Sequence, residues 1–238
     1  MTELATQQRA TGRSETGLVE VCTGQRLLPE VAAAFAALQA DAADAGFGLA
    51  IASAYRSFER QCAIFNAKAQ GQRPVHDDAG NALDLDALSP ERALGAILRF
   101  SALPGASRHH WGTDLDVYDA AAVPDDYVVQ LTPAEVSPGG PFDALHCWLD
   151  ERMAAGNSHG FYRPYAQDRG GVAPERWHLS HAASAQPFEQ ALTPDLLREA
   201  WRQELGGDGL ALQALIEDCL QQLFARYVTV GEGWCPRP

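Results

Sequence analysis

Two short segments of this chain carry residue types that bind metals and transfer protons, and they lie far apart in the sequence. The first, residues 107–116, reads Ser-Arg-His-His-Trp-Gly-Thr-Asp-Leu-Asp, and the second, residues 175–178, reads Glu-Arg-Trp-His. Two histidines and one carboxylate drawn from these segments would make a three-ligand zinc site with a fourth position open for water. Glu175 would add a carboxylate that can take a proton from that water. This combination indicates hydrolysis by a zinc enzyme.

The first segment runs into an alternating pattern that predicts a half-buried strand. From residue 113 onward apolar and polar side chains alternate, so Asp114 and Asp116 share the polar face. Gly112 allows a bend that folds the imidazole of His109 back toward this face. Asp116 is the predicted carboxylate ligand, and Asp114 is its competitor if the register of the strand shifts.

The second segment predicts another strand with its own chemical face. His178 and Ser180 alternate with apolar neighbours, so they point to the same side of this strand. Glu175 lies three residues before His178 and directly after Pro174, so it cannot share that face on a regular strand. We therefore expect Glu175 to approach from a turn, as a base beside the metal rather than a fourth ligand.

Arg56 is a candidate for binding an anionic substrate. It directly precedes Ser57, which can cap a helix that begins there. The helix dipole disfavours a cation at this end, so Arg56 fits best if it shares an anionic ligand with the helix amides. The C-terminal carboxylate of a peptide is such a ligand, and a guanidinium group can bind it through two hydrogen bonds. This favours a carboxypeptidase over an endopeptidase.

Periodicity and punctuation residues predict the elements that hold these segments in place. Three regions follow: a loose N-terminal arm (1–28), a zinc domain (29–183) and a C-terminal helical extension packed on it (184–238). The arm lacks periodicity and is expected to be irregular. The predicted helices cover residues 29–45, 57–70, 89–101, 142–155, 193–205 and 210–227, and the predicted strands cover 47–53, 113–118, 161–162 and 177–180.

Composition limits the classes of partner. The 238 residues are 46% hydrophobic and carry a net charge of −13, which disfavours nucleic acid and anionic membranes. No apolar run is long enough for membrane insertion, and the first twenty residues lack an export signal. We therefore expect a cytoplasmic protein, with a periplasmic location or release by lysis still open.

The five cysteines are scattered without a Cys-x-x-Cys pair and predict free thiols.

Three motifs together resemble a known family. They are Ser-x-His-x-x-Gly-x-x-x-Asp at 107–116, Glu-x-Trp-His at 175–178, and Ser-Ala-Tyr-Arg-Ser at 53–57 followed by Gln61. With them the chain resembles the zinc D-alanyl-D-alanine carboxypeptidases of the VanY type, which form the LAS group with the VanX dipeptidases and certain phage endolysins. The resemblance spans about residues 30–183. It implies an α+β fold, LAS or hedgehog-like, with a small antiparallel sheet and helices to one side.

The resemblance also implies roles for individual residues. One Zn²⁺ per chain would be held by His109, Asp116 and His178, with Glu175 as the general base. A substrate carboxylate would be bound by Arg56, assisted by Ser107 and Gln61.

The implied substrate is a peptidoglycan stem peptide or a muropeptide that ends in D-alanine, cut by D,D- or L,D-carboxypeptidase activity. A peptidoglycan endopeptidase, a D-alanyl-D-alanine dipeptidase and a non-catalytic zinc-bearing recognition domain remain alternatives, and the oligomeric state is open. Two departures from the family's sequence pattern bear on which substrate is bound. The family commonly has alanine in place of Asp114, and Ser180-His181 replaces its usual Arg-Tyr pair.

Overall fold

The computed structural model of the protein describes residues 2–206 and 209–230, which form helices around two small sheets. The strands are β1 (Val19–Cys22), β2 (Gln25–Leu27), β3 (Leu49–Ser53), β4 (Asp114–Asp119), β5 (Phe161–Tyr162) and β6 (His178–His181). The helices are α1 (Glu3–Ala10), α2 (Pro29–Asp44), α3 (Phe58–Ala69), α4 (Pro90–Arg99), α5 (Pro133–Val136), α6 (Asp143–Ala154), α7 (Ala182–Ala191), α8 (Pro194–Glu204) and α9 (Gln213–Leu223).

The larger sheet is antiparallel and brings the two chemical segments together. Its strand order is β3-β4-β6-β5, so β4 and β6 are direct neighbours. Leu115 pairs with Leu179, and both side chains are fully buried on the apolar face. Asp116 pairs with His178 on the opposite face. The predicted α+β class with a small antiparallel sheet is confirmed.

Capping residues explain where the helices around this sheet begin. Pro29 is the first residue of α2, where its missing N–H group costs no hydrogen bond. The Ser57 hydroxyl accepts from the Arg60 N–H at 3.2 Å and starts α3, and Ser89 starts α4 in the same way. The α3 cap is important for the site because it fixes Arg56 immediately before the helix.

The N-terminal segment is ordered, so the prediction of an irregular arm is wrong. It forms α1, which Thr2 caps, and the β1–β2 hairpin. The Trp111 indole N–H donates to the Ala10 carbonyl at 3.0 Å, and the Phe58 N–H donates to the Gly12 carbonyl at 2.9 Å. A Cβ atom on Gly12 would overlap the His110 ring. The segment gave little periodic signal because hydrogen bonds and close backbone contacts hold it against the 107–112 loop.

The C-terminal helices share their apolar core with the sheet. Leu197 and Ile216, from α8 and α9, are fully buried in the same cluster as Leu115. The Trp201 indole N–H also donates to the Pro104 carbonyl at 2.9 Å. No helix was predicted where α7 lies, and its internal Pro187 is unfavourable for a helix by local propensity. The division into arm, zinc domain and extension stays a prediction; residues 1, 207–208 and 231–238, which belong to the arm and the extension, lie outside the described residues.

Two further expectations concern membranes and thiols. Within residues 2–206 and 209–230, none of the helices has the length and apolar character needed to cross a bilayer. Four cysteines in that part of the chain are free thiols and none is fully buried: Cys22, Cys62, Cys147 and Cys219. Cys235 lies outside the described residues.

His146 predicts how the stability of the fold depends on pH. Its side chain is buried in α6, and its Nδ1 accepts from Arg163 at 3.2 Å. Burial, with the nearby Arg163 and Arg176 charges, lowers the pKa of His146 to about 3. The unfolded chain takes up this proton near pH 6.5, so the stabilisation is complete above that pH and is lost as the pH falls toward 3.

We expect His146→Gln to flatten this dependence. Between about pH 6 and pH 4, the free energy of unfolding of the unmodified protein should fall by about 1.4 kcal/mol per pH unit more than that of the variant. Urea unfolding at several pH values measures the two slopes. Above about pH 7.5 the difference between the proteins should be constant. Equal slopes below pH 6 would contradict the assignment.

Candidate metal centre

The site lies where β4 and β6 pair and the 3-10 turn Arg108–Trp111 approaches them. His109, Asp116 and His178 each offer one ligand atom, and the three atoms lie within 4.8 Å of one another. Asp116 Oδ2 is 3.3 Å from His109 Nε2, and its Oδ1 is 3.1 Å from His178 Nδ1. All three side chains are buried. The structure thus brings together the three residues predicted as ligands.

The remaining ring nitrogens show which histidine atoms face this cluster. His109 Nδ1 lies 2.9 Å from the Ala54 carbonyl. Because a carbonyl can only accept, Nδ1 carries the proton and Nε2 is the unprotonated nitrogen that can bind a metal. His178 Nε2 lies 3.0 Å from Asp114 Oδ1, which leaves Nδ1 on the side of Asp116. Two imidazole nitrogens and one carboxylate oxygen, each histidine held by an outer acceptor, fit a zinc site.

His178 is electrostatically bound to its two carboxylate neighbours. Desolvation alone would lower its pKa, but the hydrogen bonds to Asp114 and Asp116 outweigh this and raise the pKa to about 9. The surroundings therefore favour positive charge at this point, as a cation site requires.

Glu175 enters from a turn, as the sequence predicted. Its N–H donates to the Tyr165 carbonyl at 3.0 Å, and its own carbonyl accepts from the His178 N–H at 3.1 Å. Glu175 Oε2 is 3.8 Å from His178 Nδ1, so the carboxylate stands beside the ligand cluster. Burial raises the pKa of Glu175 to about 7, a value suited to accepting and returning a proton near neutral pH.

The backbone of Arg56 is hydrogen-bonded to the loop that carries His109. Its N–H donates to the His109 carbonyl at 3.1 Å, so the cation and this histidine have a fixed separation. The guanidinium donates to Gln61 Oε1 at 2.9 Å and to Ser53 Oγ at 3.3 Å. No carboxylate of residues 2–206 and 209–230 forms an ion pair with Arg56. Burial lowers its pKa, and an anionic ligand would offset that desolvation.

The two predicted helpers of Arg56 differ in their surroundings. Gln61 is fully buried and its Nε2 donates to the Ala102 carbonyl at 2.7 Å, so this amide holds the Arg56 guanidinium in place. Ser107 is also buried, directly before the 3-10 turn, and its hydroxyl makes no capping bond there.

Sequence reasoning missed two residues that shape the site. His110 Nδ1 donates to the Arg56 carbonyl at 2.6 Å, and its Nε2 accepts from the Gly105 N–H at 3.2 Å. His110 therefore stabilises the 107–112 loop through hydrogen bonds to residues 56 and 105. The Tyr165 ring packs against the His178 ring with centroids 5.1 Å apart. The adjacent position of His110 and His109 was a usable signal for the first, whereas Tyr165 lies in a loop without any pattern.

The register of the sheet also bears on the competition between the two aspartates. Asp114 pairs with Ser180, two residues along β4 from the Asp116–His178 pair. It contacts His178 through the ring nitrogen that points away from the cluster, and it is not among the three residues that converge.

Comparison with known families agrees with this geometry. The family model for VanY, D-alanyl-D-alanine carboxypeptidase, matches residues 24–184, about two thirds of the chain. This chain belongs to the VanY family. Two uncharacterized proteins of Haemophilus influenzae are also similar. One is 47% identical over 102 residues, covering 41% of this chain and 70% of that protein; the other is 34% identical over 130 residues, covering 53% and 92%.

Among solved structures, VanY-type and related peptidases also match this chain. VanYB in complex with D-alanine-D-alanine has a TM-score of 0.49 at 22% identity, covering 81% of this chain and 92% of that one. A mutant of the D,D-pentapeptidase VanY in complex with Zn(II) has a TM-score of 0.49 at 23% identity, covering 76% and 88%. The LD-carboxypeptidase LdcB has a TM-score of 0.48 at 21% identity, covering 76% of each chain.

Proposed function

We propose that this VanY-family chain is a zinc carboxypeptidase that hydrolyses the bond before a C-terminal D-alanine in peptidoglycan stem peptides or muropeptides. The observation that carries the proposal is the buried His109, Asp116 and His178 cluster, with Glu175 beside it and the Arg56 N–H bonded to the His109 carbonyl. Membership of a family described as D-alanyl-D-alanine carboxypeptidases supports the same chemistry.

In this proposal each residue has one task. His109 Nε2, Asp116 and His178 Nδ1 would hold the metal, which when bound polarises a carbonyl and makes water more acidic. Glu175 takes a proton from the attacking water and returns it to the leaving amine, so it is a base first and an acid afterwards.

Arg56 selects a chain end. A guanidinium held by Gln61 and Ser53, without a carboxylate partner among the described residues, can bind the terminal carboxylate of the leaving D-alanine. Ser107 would add a hydroxyl to the same pocket. An enzyme that binds the terminal carboxylate removes one residue from the end of a peptide and leaves internal bonds intact.

Mass spectrometry of the zinc-loaded protein tests the proposal directly. Two synthetic stem peptides are incubated with it, a pentapeptide ending in D-Ala-D-Ala and a tetrapeptide ending in a single D-Ala, with Glu175→Ala as the control. Loss of one alanine from the pentapeptide alone indicates D,D-activity, and loss from the tetrapeptide indicates L,D-activity. If neither peptide loses alanine while zinc is bound, the proposal fails, and intact wall fragments would then test for an endopeptidase.

Replacing Arg56 should weaken binding more than chemistry. We expect Arg56→Ala to raise KM by roughly 10- to 100-fold, which corresponds to losing a charge-assisted pair of about 1.5–3 kcal/mol. The value of kcat should change little, because the terminal carboxylate is bound equally in the ground and transition states. Steady-state kinetics on the better stem peptide measure both constants.

A substrate whose C-terminus is amidated provides the control for this prediction. The KM of the unmodified protein for the amide should be about as high as the KM of Arg56→Ala for the free acid. The variant should have similar KM values for the two peptides. An unchanged KM for the free-acid peptide in a folded Arg56→Ala protein would favour the endopeptidase alternative.

A further inference from the structure

Asp114 is the centre of a buried charged network behind the candidate metal centre. Its side chain is fully buried, and its Oδ1 accepts from Arg108 Nε at 2.7 Å while lying 3.0 Å from His178 Nε2. Its Oδ2 accepts from the Thr113 hydroxyl at 2.6 Å. Three partners therefore fix the position and direction of this carboxylate.

Arg108 is in turn held by several groups. Its Nη1 donates to Glu189 on α7 at 2.7 Å, and its Nη2 donates to Ser180 Oγ at 2.8 Å and to the Tyr162 hydroxyl at 2.9 Å. The guanidinium carbon lies 4.5 Å from the centre of the Trp111 ring. Arg108 is therefore held rigidly from several sides, and it fixes the Asp114 carboxylate in place through the bond from its Nε.

We propose that Asp114, held by Arg108, is a positioning residue for His178. The Asp114 carboxylate keeps the proton of the neutral His178 ring on Nε2. This leaves Nδ1, which faces Asp116 and Glu175, as the nitrogen that can bind the metal. A negatively charged acceptor also makes the imidazole a stronger metal ligand than a neutral acceptor would. The inference rests on the proposed zinc ligand set of the previous subsection, but it does not depend on any peptide substrate.

The geometry separates this role from two simpler ones. Asp114 is not itself a ligand, because it contacts the ring nitrogen of His178 that points away from the cluster. It is also more than an internal ion-pair partner of Arg108, because its Oδ1 contacts both Arg108 and His178. Any change in its charge should therefore be detected at the metal.

Metal affinity tests the inference, with a matched control on the same strand. Asp114→Asn keeps the shape and an acceptor oxygen but removes the charge, so the dissociation constant for Zn²⁺ should rise by roughly 10- to 100-fold. Asp119→Asn is the control: Asp119 is also a buried carboxylate of β4, but it accepts from the Gly48 and Ala121 N–H groups, away from the metal cluster. Chelator competition should give a zinc affinity for this control within about threefold of the unmodified protein.

A second measurement needs no variant. In a long-range ¹⁵N–¹H spectrum of the unmodified protein loaded with Zn²⁺, His178 should carry its proton on Nε2 with the metal on Nδ1, and His109 should show the reverse. Metal on Nε2 of His178 would overturn the inference, as would an Asp114→Asn protein that binds zinc no more weakly than the Asp119→Asn control. If D-alanine is released while either of these results is found, the inference alone is wrong. If zinc binding follows the prediction and no stem peptide is cut, the proposed function is wrong instead.

Discussion

Replacing Glu175 with glutamine is expected to lower kcat by roughly 10²- to 10⁴-fold while the protein still binds one zinc per chain. Glutamine keeps the size of the side chain but can neither take a proton from water nor return it to the leaving amine. Glu175 is half-buried, its Oε2 lies 3.8 Å from His178 Nδ1, and it does not belong to the three converging ligands. Its removal should therefore affect the proton transfers and leave the metal in place.

The measurement combines turnover of a stem peptide with the zinc content of the same sample. Glu135→Gln is a suitable control, because Glu135 is a carboxylate that accepts from residues 127, 130 and 132 in a capping box that includes none of the candidate site residues. Its turnover should match that of the unmodified protein. A zinc-loaded Glu175→Gln protein with full activity would exclude Glu175 as the base.

Asp116→Asn is expected to have the largest effect of all on the metal. Its carboxylate oxygens lie 3.3 Å from His109 Nε2 and 3.1 Å from His178 Nδ1, so Asp116 is the ligand that joins the two histidines. An amide oxygen is a much weaker ligand for zinc than a carboxylate. The variant should lose stoichiometric zinc on dialysis and, with it, peptide hydrolysis.

Comparison with Asp114→Asn makes this prediction specific. The two aspartates lie on the same face of β4. Asp116→Asn should abolish zinc binding, whereas Asp114→Asn should only weaken it. Zinc retained at one equivalent by Asp116→Asn would show that the ligand set has been assigned wrongly. Thermal unfolding of both variants checks that each protein is folded.

The sequence could predict how the candidate residues are oriented because each orientation depends on a local strand or turn. Alternation along β4 places Asp116 on the polar face, and the position of Glu175 just after Pro174 requires an approach from a turn. The pairing of Asp116 with His178 follows once these two strands are neighbours in one sheet. Strand periodicity and three motifs therefore contained most of the information on the candidate ligands.

The rest depends on contacts between distant parts of the chain. Arg108 and Glu189 are separated by 81 positions, so no local pattern could link the charge beside His109 to helix α7. Likewise, α7 continues through Pro187, against its local propensity. Tertiary packing decided these features, which explains why the brace formed by His110 and the network around Asp114 emerged only from the structure.

The N-terminal helix has a practical consequence for anyone who transplants this catalytic unit into another protein. The match to the VanY family begins at residue 24, which would be the natural place to cut. A cut there would remove Ala10 and Gly12, leaving the Trp111 indole without its acceptor and the buried face of His110 open to water. His110 also donates to the Arg56 carbonyl and accepts from the Gly105 N–H, and Thr2 caps α1, so a graft should begin at residue 2 or earlier.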